Sequence, residues 1–426
     1  MGASKVAASR VVAALSAAAV VGGCHFGARL STPEGRCWPE HCQRAGDCCP
    51  TLAELDGTVA PRELSSACVL LDNGRVLCHG YNDDGAAGIG RSGIGWRMPW
   101  LAVRGLVDAV DLATEWGTRC AIQANGEVVC WGSSDDGQVG WGRWAHGASP
   151  VRAPIVAPAS KVELAEGSGC ALKGTGEVVC WGLGRRGAYD RADCPPDRWG
   201  RRRCWGARGQ AVMVTDAVDL AGNSDGYCAA RQDGRVVCWA DDRKLHVEHR
   251  IDDRPWVYPP AEFPEALAVV ALERHGDRTW ALDEDGRASL WGLLDTDGPC
   301  HVVPPVAARR PLSIASDAPI VQVAADCGLG ADGRVRCWDR RGGLQVVDGL
   351  PLVAEILPGE GPDHERCAVD LDGDTWCWRS DAPPGRWRGL PDPFRANGRA
   401  LAERRCPMRC PAFAAMGWSW ADGDDG

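Results

Sequence analysis

Cys68-Val69-Leu70-Leu71-Asp72-Asn73-Gly74-Arg75-Val76-Leu77-Cys78 is the stretch from which the fold can be read. Asp72-Asn73-Gly74 reads as a three-residue hairpin loop, with Gly74 in the left-handed seat that costs other residues strain. Residue 71 then pairs with 75, 70 with 76, 69 with 77, and Cys68 with Cys78. Alternation along an antiparallel ladder makes this last pair a non-hydrogen-bonded one, with Cα atoms about 4.5 Å apart. That separation lies inside the range of about 4.4–6.8 Å that a disulfide needs. Closing the 11-residue ring removes roughly 2.8 kcal/mol of unfolded-chain entropy in the simple chain model.

The same module recurs along the chain. Cys120 to Cys130 turns at Gly126, Cys170 to Cys180 at Gly176, Cys228 to Cys238 at Gly234, Cys327 to Cys337 at Gly333, and Cys367 to Cys377 at Gly373. A seventh copy, Trp280 to Leu290 around Gly286, has lost both cysteines together. A joint loss is what a bonded pair predicts, because a lone survivor is an orphan thiol. Zinc fits poorly, since both ligands of each pair lie in one hairpin instead of converging from separate elements. Cys194 and Cys204 share the ten-residue separation inside an insertion after the third copy, and are expected to staple it.

Two further signals flank each hairpin. A short apolar strand precedes it, as in Val107-Asp108-Ala109-Val110-Asp111-Leu112-Ala113, Val162-Glu163-Leu164-Ala165, Val218-Asp219-Leu220-Ala221 and Val321-Gln322-Val323-Ala324. A glycine-rich polar turn follows it, as in Gly80-Tyr81-Asn82-Asp83-Asp84-Gly85 and Gly132-Ser133-Ser134-Asp135-Asp136-Gly137-Gln138-Val139-Gly140. Here the chain resembles the regulator of chromosome condensation repeat family, whose repeats carry a similar Trp-Gly-x-Asn-x-x-Gly-Gln-Leu-Gly turn. The resemblance covers roughly residues 57–400 and is strongest in the first three copies; the last three lose the turn. It implies an all-β, seven-bladed β-propeller with four strands per blade. Repeats of this length that bury a face only against their neighbours fit such a ring. Gly398-Arg399-Ala400-Leu401-Ala402 is a spare strand-like piece, either a decayed eighth unit or a strand closing the ring near Val59.

The amino terminus reads as an export signal. Lys5 and Arg10 precede an apolar run, Val11 to Val21, that is too short to span a bilayer. The run ends in Val21-Gly22-Gly23-Cys24, which resembles a bacterial lipoprotein processing site. That resemblance implies lipidation at Cys24, and His25 in place of Asp points toward the outer membrane or cell surface. An ordinary signal peptide, with Cys24 as one more disulfide cysteine, is the alternative. Twenty-two cysteines suit an oxidising compartment and not a reducing cytosol. The expected organisation is a signal peptide over 1–23, an anchor and Cys-rich linker over 24–56, the propeller over 57–400, and a tail over 401–426. The linker holds Cys37, Cys42, Cys48 and Cys49, for which three pairings exist, while Cys300, Cys406 and Cys410 are unassigned.

Composition narrows function. A net charge of −10 lacks the basic patch of a nucleic-acid surface. Gly182-Leu183-Gly184-Arg185-Arg186-Gly187 and Gly88-Ile89-Gly90-Arg91-Ser92-Gly93 match a dinucleotide fingerprint, and Gly222-Asn223-Ser224-Asp225-Gly226 matches a nucleophile elbow. All three sit in the repeat's turns without the strand-to-helix context such chemistry needs. His246 and His249 have no readable further ligand, and the Asp-rich turns lack a calcium-loop register, so no catalytic residue, metal or cofactor is assigned.

Trp131, Trp181, Trp239, Trp291, Trp338 and Trp378 hold one repeat position and are expected in the blade core. Trp96, Trp100, Trp141, Trp144, Trp199, Trp205, Trp256 and Trp387 read as lying in connections. Exposed Trp with Arg is the composition of interface hot spots. The candidate binding surface is therefore Trp141, Trp144, Arg185, Arg186, Trp199, Arg202, Trp205 and Trp256. The expected function is an envelope-anchored protein whose propeller face engages another protein. A glycan or cell-wall ligand, and a lyase or hydrolase using carboxylates in the central channel, are the competing readings. Guanine-nucleotide exchange, known in eukaryotic members of the resembled family, requires a cytosolic GTPase and conflicts with the export signal.

Overall fold

The computed structural model describes residues 48–390, except 66, 93, 135–136, 141–146, 154, 156–157, 166, 183–188, 191–202, 205–210, 224–225, 240–260, 263–267, 276–277, 293–311, 339–342, 360, 362–364 and 381. Seven four-stranded antiparallel sheets follow one another along the chain, each built from four consecutive strands apart from one inserted pair. Blade 1 comprises β1 Pro61–Leu64, β2 Cys68–Leu71, β3 Val76–Asn82 and β4 Ile94–Ala102. Blade 2 comprises β5 Ala109–Glu115, β6 Thr118–Gln123, β7 Val128–Gly132 and β8 Gly147–Arg152. Blade 3 takes β9 Ala159–Ala165, β10 Ser168–Lys173, β11 Val178–Trp181 and β14 Ala211–Val214, with the inserted pair β12 Tyr189–Asp190 and β13 Arg203–Cys204 between its last two strands. Blade 4 comprises β15 Ala217–Asn223, β16 Gly226–Arg231, β17 Val236–Trp239 and β18 Ala261–Glu262; blade 5 has β19 Val269–His275, β20 Arg278–Asp283, β21 Ala288–Gly292 and β22 Leu312–Ile314. Blade 6 is β23 Ile320–Ala324, β24 Cys327–Gly330, β25 Val335–Trp338 and β26 Leu344–Val346, and blade 7 is β27 Val353–Ile356, β28 Arg366–Asp370, β29 Thr375–Arg379 and β30 Ala382–Arg386. The first strands of blades 2 to 7 pack on one another in order, and Glu63 of β1 reaches β5, so the first strands lie innermost in the ring.

The hairpin register is the one expected from the sequence. Cys68 pairs with Cys78, Cys120 with Cys130, Cys170 with Cys180, Cys228 with Cys238, Cys327 with Cys337, and Cys367 with Cys377. Each pair is a disulfide, with Cα atoms 3.9–4.1 Å apart, closer than the expected value. In blade 5 Trp280 and Leu290 face each other at the same rung. Gly74 has φ +76°, and its Asn73 neighbour accepts a hydrogen bond from the Arg75 amide at 3.0 Å. Asn125, Asp233 and Asp332 do the same in their hairpins, which is why Asn or Asp precedes those glycines.

Trp131, Trp181, Trp239, Trp338 and Trp378 are buried between blades, as expected. The first two also explain the glycine-rich turn. Trp131 Nε1 donates to the Ala86 carbonyl of blade 1 at 3.0 Å, and Trp181 Nε1 donates to the Gln138 carbonyl of blade 2 at 2.8 Å. The turn of one blade is thus the acceptor for the indole of the next.

The reading of two tryptophans as connection residues needs correcting, because Trp96 and Trp100 both fall in β4. Trp100 is not in a connection; it is fully buried in β4, its ring 4.2 Å from that of His79. In the first strands of the blades, Val110, Val218, Val270 and Val321 are exposed. Each falls where the register shifts by one residue, so a bulge turns it out of the blade interface.

Closure uses residues ahead of the first hairpin. Leu64 bridges to Gly359 of blade 7, and its amide donates to the Pro358 carbonyl at 3.0 Å. Helix α1, Leu52–Leu55, begins in a capping box made by Thr51 and Glu54. Glu54 is 1 % exposed and accepts two 2.8 Å hydrogen bonds from Arg75. Leu55 packs with Leu64, Leu357 and Leu390, and its carbonyl accepts from the Leu390 amide. Cys48 and Cys49, both disulfide-bonded, lie in the same core cluster. Residues 48–55 thus contribute to the core shared by blades 1 and 7; residues 398–402 lie outside the described ones.

Replacing Trp181 by Phe deletes the 2.8 Å bond and leaves the Gln138 carbonyl buried without its donor. The expected cost is about 2 kcal/mol, read as a lower urea midpoint at unchanged m-value.

Candidate functional site

The innermost strands repeat one pattern of burial. A buried residue is followed by an exposed one at the bulge and then by a half-buried polar one facing the next blade, as in Pro61-Arg62-Glu63, Ala109-Val110-Asp111, Ala159-Ser160-Lys161 and Ala217-Val218-Asp219. These polar side chains tie blade to blade around the ring. Glu63 accepts from the Leu112 amide at 3.0 Å, Asp111 from the Val162 amide at 2.8 Å, and Asp219 from the Leu272 amide at 2.7 Å. Lys161 spans blades 3 and 4 through a 2.9 Å ion pair with Asp219. Gln322 makes two bonds to Ile356, donating to its carbonyl at 2.6 Å and accepting from its amide at 2.9 Å. Blade 5 has Ala271 at this position, and Glu273, two residues further on, takes over by accepting from the Ala325 amide at 3.2 Å.

The result is one ammonium among five carboxyls: Glu63, Asp111, Glu163, Asp219 and Glu273. Burial pushes the Glu63 carboxyl well above the usual range, and the neighbouring Asp111 and Glu163 add to the shift. Burial likewise raises Asp111, and it raises Glu163 well above the usual range although Lys161 opposes it. Glu273 is raised to about 7 by burial, with Lys161 again opposing. For Lys161 itself burial acts downward, but Asp219, Glu163 and Glu273 outweigh it and the ammonium is held charged. None of these positions stood out in the sequence, where they read as polar interruptions of apolar strands. The usable signal was the recurrence of Glu63, Asp111, Lys161 and Asp219 one residue before a Leu or Val in successive repeats; Glu273, followed by Arg274, lacked it.

Antiparallel alternation places the turns between first and second strands, and the connections between third and fourth strands, on one face of the disc. The short hairpins and the links between blades occupy the other. On the first face stands Trp116, 83 % exposed and at φ +46°. The buried Arg119 donates to its carbonyl at 2.6 Å; burial brings that guanidinium down to about 10, with Glu115 opposing. Gly117 meets the turn after the hairpin, its carbonyl accepting from the Ser133 amide at 2.9 Å.

The predicted binding residues Trp141, Trp144, Arg185, Arg186, Trp199, Arg202, Trp205 and Trp256 all lie outside the described residues, as do Cys24, Cys37, Cys42, Cys194, His246 and His249. Cys204 is described as the end of β13, where it pairs with Tyr189. The described strand ends from which those connections depart and to which they return, Gly132 with Gly147, Trp181 with Ala211, and Trp239 with Ala261, lie at the face of Trp116. Trp387 is partly buried against the core shared by blades 1 and 7. Among the described residues no helix is long and apolar enough to cross a membrane.

No protein-family model and no curated protein matches the chain. Solved structures do. Prp20p of Saccharomyces cerevisiae, studied with its binding to Gsp1p and histones, is 15% identical over 76% of this chain and 87% of its own, at a TM-score of 0.50. Human WBSCR16 is 17% identical over 74% of this chain and 94% of its own, at a TM-score of 0.53. Yeast RCC1 (Prp20) with Kap60 bound is 16% identical over 80% of this chain and 85% of its own, at a TM-score of 0.51. The fold is therefore that of a seven-bladed β-propeller similar to these RCC1-type structures.

Glu273 supplies a pH test with a definite sign. Burial pushes its carboxyl up to about 7 in the folded chain from the ordinary 4.5, so the folded chain holds more protons between those limits. Stability is therefore expected to fall as pH rises from about 4.5 to 7, and thermal melts should give a higher Tm near pH 5 than near pH 8. Glu273→Gln should flatten that part of the profile.

Proposed function

We propose that the chain is an exported, lipid-anchored propeller that binds another protein through the face carrying the connections between third and fourth strands. One observation carries this reading: variation in length is concentrated on that face. These connections run over 83–93, 133–146, 182–210, 240–260, 293–311, 339–343 and 380–381, whereas the hairpins on the opposite face keep a fixed cysteine-to-cysteine spacing. Variable loops on a rigid scaffold are where binding residues gather. Prp20p, the yeast RCC1, shares the fold and has protein partners (Gsp1p, histones and Kap60). The inner-strand carboxyls that an enzyme reading would call upon are engaged by backbone amides and Lys161, which favours binding over catalysis.

Anchoring rests on Cys24 behind its apolar run. With that run removed, the anchor tethers the propeller at the cell envelope and leaves the loop-bearing face to meet a partner.

The test is capture from intact cells with the full chain. A partner should be recovered by the wild type and lost when Trp141 and Trp144 are changed together to Ala, with retention after Asn73→Ala on the opposite face. Cys24→Ser should release the protein from the membrane fraction. Equal capture by the tryptophan variant contradicts the assigned face, and glycan-array binding that requires the same tryptophans replaces a protein partner with a sugar.

A further inference from the structure

Trp116 combines two features that folding alone does not favour. Its indole is 83 % exposed, and its backbone has φ +46°, a left-handed conformation that bulky residues rarely adopt. It is the first of two residues joining β5 to β6, since Glu115 pairs with Thr118 across the turn. Two-residue hairpin turns with positive φ at that seat take Gly, Asn or Asp for preference. Here Gly117 fills the second seat instead. Holding Trp116 in this conformation costs of order 1 kcal/mol. The surroundings keep it there: Arg119, itself 5 % exposed, donates from Nη1 to the Trp116 carbonyl at 2.6 Å and to that of Thr118 at 3.0 Å.

The neighbourhood is acidic. The blade 1 turn Asp83-Asp84-Gly85 adjoins Gly117, so that a Cβ on Gly117 would stand 3.5 Å from the Asp84 carboxylate. Asp83 is exposed, and Tyr81, at the end of the same strand, is 57 % exposed. An exposed indole, one residue from a glycine that adjoins a carboxylate, on a chain of net charge −10 matches one partner chemistry well. A guanidinium is planar, stacks on indole, and bonds carboxylates through paired donors.

We infer that Trp116 is a docking site for an arginine side chain presented by a partner protein, the guanidinium stacking on the indole and pairing with a carboxylate of the adjoining Asp83-Asp84 turn. The inference rests on the protein-binding reading above and adds to it the chemistry of the partner. Arg119 and the turn hold the indole in its receiving position before the partner arrives, so little ordering entropy is lost on binding. The site lies on the loop-bearing face, where it supplies a fixed anchor beside connections of varied length.

A random 12-residue peptide display selection against the intact chain tests this. Selected peptides should be enriched in Arg, and their binding should fall about tenfold or more in Trp116→Gly and in Asp83→Lys. Both variants should keep a Tm within about 2 °C of wild type, because glycine suits the turn and Asp83 is exposed. Peptides without Arg enrichment, or peptides that bind Trp116→Gly as well as wild type, overturn the site while leaving a protein-binding face elsewhere intact. A Tm lower by more than about 5 °C in Trp116→Gly shows that the indole serves packing and also overturns it. Failure to recover any binding peptide, together with no protein captured from intact cells, overturns the site and the protein-binding reading at once.

Discussion

A cystine between the second and third strands of six blades is the constraint around which this molecule is arranged. It fixes the hairpin register, and register fixes everything that alternates along the strands. A slip of one residue would exchange Leu70 and Val76, which pack against blade 2, for Val69 and Leu77, which belong to the core shared with blade 7. Because the cross-link is local, it holds the register of each of these six blades without help from a neighbour. The blades then need only short-range complementarity to close. Indole to turn carbonyl, polar side chain to neighbouring amide, and a strand-to-strand bridge at Leu64 and Gly359 provide it.

Polar groups at the axis show how such a ring handles seven converging strand edges. A strand edge leaves amides without partners, and buried amides without partners are costly. Glu63, Asp111 and Asp219 each reach across to one such amide of the following blade. This concentrates negative charge in a confined space. Lys161 offsets part of it, and the raised carboxyl of Glu273 absorbs more by holding its proton toward neutral pH. Closure at the axis and pH sensitivity are consequences of one arrangement.

The seven repeats and the six cystines were legible in the sequence because each depends on spacing inside a single repeat, whereas the four strands per blade followed from the resemblance to the regulator of chromosome condensation repeats. Cys68 and Cys78, ten residues apart around Gly74, carry their geometry with them. The tryptophans after the cysteines were legible for the same reason. Trp100 was misplaced because its strand, the outermost of blade 1, lacks alternation and follows a long glycine-rich turn. The inner-strand carboxyls were hidden for a different reason. Asp111 and Val162 are far apart in sequence, and nothing local marks them as partners. Trp116 escaped notice because its significance lies in a backbone angle and an exposure, neither of which composition reveals.

Proteolysis of the non-reduced protein followed by mass mapping of the cross-linked peptides tests this architecture most directly. The account predicts links Cys68–Cys78, Cys120–Cys130, Cys170–Cys180, Cys228–Cys238, Cys327–Cys337 and Cys367–Cys377, each within one repeat. Links joining cysteines of different repeats, or free thiols at these positions, would contradict the blade as a self-contained unit and the ring built from it.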